Sequence, residues 1–500
     1  MIPDLDRLSD DIGMIHSVSA CKLYEKETTT TLFCSIYSPY IYDGMGIVRT
    51  VSMAVAKKTT TKKASTAKKA VKATPAKKAQ RDKVVLAYSG GLDTSVDIHW
   101  LQENYNVDVI AIAVNVGQPP SKDDIVARAI RNGAIKADFI DVRKEFVEDY
   151  IWPALKANAM YQNVYPLSTA VARPLITKVL ADVAKKEGAK YIAHGCTAKG
   201  NDQVRFDVGL ISQNPDLKII APMREWITTR EEEIDYAKKN GIEIIVKKSS
   251  PYSRDENLWG NSCECGVLED PWEEPPAGAW AYTVDPAKAL AAPKYIEIGF
   301  EKGIPVCLDG VRMDGVKLIE TLNELAGKYG VGRIDHVEDR LVGIKSRETY
   351  ECPAAITLIA AHRGLEALTL PKDTIEFKRI IEQKFSQLIY DGLWYEGLRE
   401  NLQAFIDSSQ EYVTGVVRVK LYKGTATVVG RRSPYSLYDV GLSTYAKGDE
   451  FDHKSAVGFI YCWGLPGKTA AKAHMKADKK KTPAKKAAAE TAKKTATKKK

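Results

Sequence analysis

The stretch KVVLAYSGGLDTSVDIHW, Lys83 to Trp100, decides the reading of the fold. Val84 to Tyr88 is a short, apolar, β-branched run of the kind that a parallel sheet covers on both faces. Gly90 and Gly91 follow, and Leu92 onward reads as a helix. Adjacent glycines after a buried strand permit positive φ, turn successive N–H groups toward one point and aim the positive end of the next helix there. That geometry cradles phosphate. A Walker A loop would end in Gly-Lys-Ser/Thr, whereas here Asp93-Thr94-Ser95 stands, so the cradle is of another type. A tight turn whose hydroxyls merely cap the helix is the plainer alternative.

Working outward, VDVIAIAVNVG (107–117) and KYIAHG (190–195) are further strands. The segments 94–105, 122–133 and 167–189 read as helices, the last ending at Gly188. In ITTREEEIDYAKKNG (227–241), Thr229 precedes Glu232 by three residues, which is a capping box, and IEIIVKK (242–248) follows as a strand. Strand and helix in alternation predict an α/β domain over residues 84–250: a parallel sheet with helices on both faces. From about Pro251 the chain is crowded with Gly, Pro and Trp and its strands shorten. Residues 251–467 are therefore expected to form an α+β domain, with a helix in GVKLIETLNELAGKYG (315–330) and an apolar HKSAVGFIYCWG (453–464) suited to packing on another subunit.

At 500 residues and 44% hydrophobic, the chain has room for two or three domains. Its net charge of +9 is unevenly spread. Residues 53–83 hold 10 Lys and 1 Arg against 1 acid, residues 468–500 hold 13 Lys against 2 acids, and the body between them is acidic. Both lysine-rich ends, built of Lys, Ala and Thr, lack the apolar bulk to offset the entropy of ordering and are expected to be disordered. Residues 1–52 match neither tail nor body, and Met53 is an alternative start to Met1. No window is long and apolar enough for a membrane span, and the acidic opening is no secretory signal, which predicts a cytoplasmic protein. The eight scattered cysteines read as reduced thiols; CEC at Cys263–Cys265 lacks the second knuckle or histidines of a zinc site, so no metal site is assigned to protein side chains.

HGCTAKGNDQVRFD, His194 to Asp207, places Thr197, Lys199, Asn201, Asp202 and Arg205 within nine residues. Its chemistry suits a zwitterion: hydroxyl and amide for carboxylates, a carboxylate for an amine, and an Arg that grips a carboxylate at two points. A polar loop with chance charges is the alternative.

The SGGLDTS segment resembles the pyrophosphate loop of the N-type ATP pyrophosphatases, whose fold is adenine nucleotide alpha hydrolase-like and whose members cleave ATP between the α and β phosphates. The His194–Asp207 loop is very similar to that of argininosuccinate synthases, and PYSRDENLWGNS (251–262) and GVGRIDHVEDRLVGIKSRETYE (330–351) resemble further segments of that family. The resemblance implies ATP at Ala87, Tyr88, Ser89, Gly90, Gly91, Leu92, Asp93, Thr94, Ser95, Val114 and Gly195, with Mg2+ on its phosphates. It implies aspartate at Thr197, Asn201 and Asp202, and citrulline at Tyr165, Asn201, Arg205, Ser253, Ser262, Glu338 and Tyr350. Asp93 is expected to act on the metal or its water, and Asp202 on the attacking amine. The implied assembly is a homotetramer, and the lysine tails suit non-specific polyanion binding.

Taken singly, Ser253 reads equally well as a cap, Glu338 as half of a surface pair with Arg340, and Tyr350 as core. One position departs from the family: Ala170 stands where a serine is usual, leaving Ser168 or Thr169 to supply a hydroxyl. Two other readings remain at this stage. A tRNA-modifying adenylating enzyme would suit the tails but would need a cysteine partner for Cys196; a polyanion-binding protein with an inactive body would not need the loops.

Overall fold

The computed structural model describes residues 81–118, 125–226, 229–244 and 252–497. The N-terminal lysine-rich run and most of the strand expected at 242–248 lie outside them; Ile242–Ile244 belongs to no strand.

The first half builds five strands, β1 (Lys83–Ala87), β2 (Asp108–Asn115), β3 (Lys136–Asp141), β4 (Tyr191–His194) and β5 (Lys218–Ile220). They form one parallel sheet in the order β3-β2-β1-β4-β5. The continuous apolar run of β1 is explained by cover on both faces: Val84 and Leu86 pack with Ile98 and Leu101 of the following helix, while Val85 packs with Phe146, Leu175 and Leu180 on the other side. The helix Arg173–Glu187 stops at Gly188 in the left-handed region, φ +64°, and Thr229 and Glu232 form both halves of the capping box on the helix Arg230–Lys239.

Strand order reverses between β1 and β4, and Ala87 lies opposite His194. The loops leaving those two strands, Tyr88–Gly91 and Gly195–Gly200, therefore emerge side by side at the carboxyl edge. That switch point is where parallel α/β sheets bind ligands.

The second half holds β6 (Ser253–Asn257), β7 (Gly260–Glu264), β8 (Lys294–Glu301), β9 (Ile304–Leu308), β10 (Val311–Arg312), β11 (Arg333–Asp339), β12 (Lys345–Glu351), β13 (Gly415–Tyr422) and β14 (Thr425–Arg432). They make two antiparallel sheets, β11-β12-β7-β6 and β10-β9-β8-β13-β14. The expected helix appears as Gly315–Lys328, capped by Asp314. One hydrophobic cluster runs through both halves, from Val85 and Ile192 to Leu365 and Leu421, and fixes the two β-systems against each other.

The C-terminal lysine-rich segment corrects the sequence reading. Residues 468–497, expected to be disordered, continue a single helix, His453–Thr497. Low apolar content argued for disorder, but alanine and lysine are among the best helix formers, and local propensity needs no buried face. Every described side chain from Phe459 to Lys479 is exposed.

Candidate active site

The phosphate cradle forms as its residue types require. Gly90 has φ +74°, and a Cβ there would lie 2.7 Å from the Ile125 side chain, so only glycine fits. Gly91 is the N-cap of the helix Leu92–Tyr105, with no side-chain cap on its first N–H groups. Ser89 Oγ instead accepts from the Gly91 N–H and bonds Thr94 Oγ1 at 3.0 Å, which shapes the loop rather than closing the helix end. Tyr88 N–H donates to Ile112 O, tying the loop to β2 two residues before Val114. Gly195 arrives from β4, where a Cβ would lie 3.2 Å from Thr94 Cγ2 and from Asp97 Oδ2. The implied ATP residues thus converge.

Three carboxylates crowd this helix start. Asp97 is fully buried, and neither of its oxygens has a hydrogen-bond partner among the described residues. Burial, then the charges of Asp93 and Glu233, push its pKa well above the carboxylate range. Glu233, from the capped helix Arg230–Lys239, hydrogen-bonds Asp93 and is pushed up to about 8 by burial and by the Asp93 charge. The sequence reading found Asp93 but missed both neighbours.

The zwitterion loop organises differently. Gly200 caps the helix Asn201–Gln213, which puts Asn201, Asp202 and Arg205 on its first turns. Asp202 Oδ1 accepts from Arg205 Nη1 at 2.9 Å and Oδ2 from Arg173 Nη2 at 2.7 Å. Burial alone would raise the Asp202 pKa, but the two guanidiniums outweigh it and hold the group well below the usual range. Arg173 also reaches Asp255, whose own pKa burial raises. The Nη2 of Arg205 is buried without a partner among the described residues, a donor that a carboxylate could satisfy. Thr197 is exposed beside Gly200 and makes no side-chain bond to this cluster.

The residues expected at citrulline come together through strand parity. In β6, β7, β12 and β11 the paired rows Asp255–Ser262–Tyr350 and His336–Glu348 put Ser253, Ser262, Tyr350 and Glu338 on one face of the sheet. Glu338 is buried and accepts from Tyr350 OH at 2.8 Å, from Tyr390 OH at 2.7 Å and from Asn201 Nδ2 at 3.4 Å. It is no surface pair with Arg340, which binds Glu264 at 2.5 Å and Glu348 at 3.1 Å. Burial, with Glu338 and Glu264 nearby, pushes Glu348 up to about 8. Tyr165 stacks on Tyr350 with ring centroids 3.9 Å apart. Ser253 lies in a strand, not at a cap, and is exposed.

Ala170 sits buried in a short 3-10 turn, and the neighbouring Thr169 brings its hydroxyl within 2.7 Å of Tyr165 OH. Arg173, Asp255, Tyr390 and Glu348 were absent from the sequence reading. Asp255 was within reach of it, because residues 253 and 255 of a strand share a face. Burial pushes the Cys196 thiol far up, which disfavours a reactive thiolate. Among the described residues no group of three His, Cys, Asp or Glu is disposed to hold a metal ion by itself.

A glycine cradle at the switch point of a parallel sheet, facing a second sheet lined with acids, hydroxyls and phenols, defines a nucleotide-binding α/β enzyme. Residues 83–243 match the family model of the arginosuccinate synthase N-terminal HUP domain, and residues 252–470 that of the arginosuccinate synthase C-terminal domain. The chain is 59% identical over 386 residues to the argininosuccinate synthase of Oceanobacillus iheyensis, covering 77% of this chain and 93% of that protein. It is 57% identical over 387 residues to that of Dehalococcoides mccartyi, covering 77% and 95%, and 56% identical over 386 residues to that of Dictyoglomus thermophilum, covering 77% and 96%. The chain belongs to the argininosuccinate synthase family, ligases of arginine biosynthesis. No helix among the described residues is long and apolar enough to cross a membrane.

Proposed function

We propose that the chain joins L-citrulline to L-aspartate through a citrullyl-adenylate, cleaving ATP to AMP and pyrophosphate. The observation that carries this reading is the adjacency of the Gly90–Gly91 cradle to the Asp202–Arg205 cluster across Gly195. Citrulline's ureido oxygen attacks the α-phosphorus, the bond to the oxygen bridging the α and β phosphates breaks, and pyrophosphate takes the electron pair. Aspartate's amine then adds to the ureido carbon, and AMP leaves with the oxygen that began on citrulline.

The protein's part is positioning and charge. The Gly90 N–H and the uncapped start of the Leu92 helix hold the phosphates, while the Gly91 N–H stays turned to Ser89 Oγ. The free Nη2 of Arg205 takes the citrulline carboxylate, with Tyr165, Asn201, Ser253, Ser262, Glu338 and Tyr350 around the chain. Asp202, kept ionised by Arg173 and Arg205, accepts from the aspartate ammonium beside Thr197 and Asn201. Mg2+ supplies charge neutralisation at the phosphates when it is bound. Hard oxygen donors fit it: Asp93 would hold it, in an acidic cluster where the buried Asp97 oxygens accept no hydrogen bond from the described residues.

Citrulline labelled with heavy oxygen in the ureido group should pass its label to AMP, read by mass spectrometry. Unlabelled AMP, or ADP as product, would sink the mechanism. We further propose a cytoplasmic homotetramer. Exposed Phe459, Ile460 and Trp463 support self-association, which light scattering of a Trp463→Ser variant tests by loss of the assembly. The lysine-rich ends suit polyanion binding of low specificity.

A further inference from the structure

Away from these groups a cavity of about 300 Å3 opens between the loop after Asn158 and the helices Pro353–Thr369 and Lys372–Tyr390. Its charged and amide lining is Asn158, Asn163, Arg363, Arg379, Glu382 and Gln383. Glu382 is fixed in place: its Oε1 accepts from the buried Lys378 at 2.6 Å and from Asn158 Nδ2 at 2.7 Å, and Oε2 keeps room for another donor. Arg363 donates to Asn158 O at 3.3 Å, and both it and Arg379 are exposed and reach no carboxylate among the described residues. Two guanidiniums beside one carboxylate, with amides between, match a carboxylate and an ammonium on one small molecule.

The cavity is tied to the site by a strained loop. Asn158, Gln162, Asn163 and Leu167 all have φ between +44° and +63°, unusual for residues with a Cβ. Asn158 and Asn163 line the cavity, whereas Tyr161 between them stacks on Tyr390 with centroids 3.5 Å apart, and Tyr165 stacks on Tyr350. Met160 N–H also donates to Ser386 on the helix that ends in Tyr390. A ligand that fixes Asn163 against Arg379 therefore bears on both aromatic stacks that frame Glu338.

We propose that this cavity binds a free α-amino acid, its carboxylate on Arg363 and Arg379 and its ammonium on Glu382, and that occupancy alters the affinity of the adjoining site. The binding half stands whatever that site's substrate is; the coupling half rests on the citrulline reading. Isothermal titration of the full chain with each common α-amino acid, and with inorganic phosphate and succinate, tests it. One amino acid should bind saturably, at one site per chain, also in Arg205→Ala protein. Arg363→Gln and Arg379→Gln, both at exposed positions, should each weaken that binding about tenfold or more. Saturating citrulline should shift the Kd in the parent protein, and the amino acid should shift the citrulline Kd by the same factor. Binding unchanged in both variants, binding of phosphate or succinate as tight as that of any amino acid, or no amino-acid binding at all overturns the site. A Kd indifferent to citrulline, in protein shown to bind citrulline, overturns the coupling alone.

Discussion

Two helices, Leu92–Tyr105 and Asn201–Gln213, leave neighbouring strands of one parallel sheet, each through a glycine N-cap with no side-chain cap, and each with an aspartate as its second residue. Their surroundings set them apart. Asp202 sits between Arg173 and Arg205, and its charge is settled before any ligand arrives. Asp93 shares its corner with Asp97 and Glu233, both of which burial pushes toward the protonated form. The same backbone device therefore serves opposite ends: one helix start is neutralised within the fold, as the proposed amino-acid site requires, and the other is left acidic, as the proposed cation with the nucleotide requires.

The largest effect expected from this contrast is on stability. Asp202→Ala leaves the buried Arg205 without its carboxylate and Arg173 with Asp255 alone, and should cost about 3 kcal/mol, the lower end for a broken buried pair because the Asp202 side chain keeps 32% of its surface. Urea denaturation measures it, and a loss near zero would break the comparison at its first arm. In protein that still folds, the same change should raise KM for aspartate far more than for citrulline, with Arg205→Ala doing the reverse by about ten- to a hundredfold. Steady-state kinetics with each substrate varied in turn settles the assignment, and equal effects on both substrates refute it.

At the other helix the sign should invert. Asp97→Ala removes a buried carboxylate with no partner, and the ligand-free protein should gain roughly 1–2 kcal/mol at neutral pH. A lower melting temperature would mean that Asp97 is satisfied after all. The pH dependence sharpens the point. Glu233 rises from 4.5 in the unfolded chain to about 8 in the fold, so the folded state holds more protons across that window. Stability must fall as pH rises from about 4.5 to 8 and level off above it. Glu348 contributes in the same direction, so Glu233→Gln should shallow the slope rather than abolish it. Asp202, with its pKa depressed, adds nothing to that slope; its stabilisation is lost only as acid titrates it below its unfolded value of 3.8. The smallest effect belongs to the ends: a chain of residues 82–467 should keep its turnover and lose salt-sensitive retention on heparin. Lost turnover in a folded truncation would place a functional group outside the two helix starts and their facing sheet.

Much of this was legible in the sequence, because glycine pairs, capping residues and strand runs act locally. The Gly90–Gly91 turn, the Gly188 stop and the Thr229 capping box all formed where their residue types require them. What escaped depends on long separation. Tyr390 meets Asn201 across 189 positions and Glu233 meets Asp93 from a separate helix, and nothing local marks either residue. Arg173 sat in plain view before Pro174, but an arginine at a helix start becomes a site residue only when Asp202 and Asp255 arrive from other elements. The C-terminal helix failed for the opposite reason: composition spoke for disorder and helix propensity prevailed.

The facing sheet carries a consequence for how this gene can change. Ser253, Ser262, Tyr350 and Glu338 share a face only because each strand alternates strictly. Deleting one codon within β6 or β11 would carry every later side chain of that strand to the opposite face, and would remove Asp255 or Glu338 from the site without altering its identity. Lineages of this protein should therefore accumulate substitutions at outward, exposed positions such as Val337, while single-codon insertions and deletions collect outside the strands.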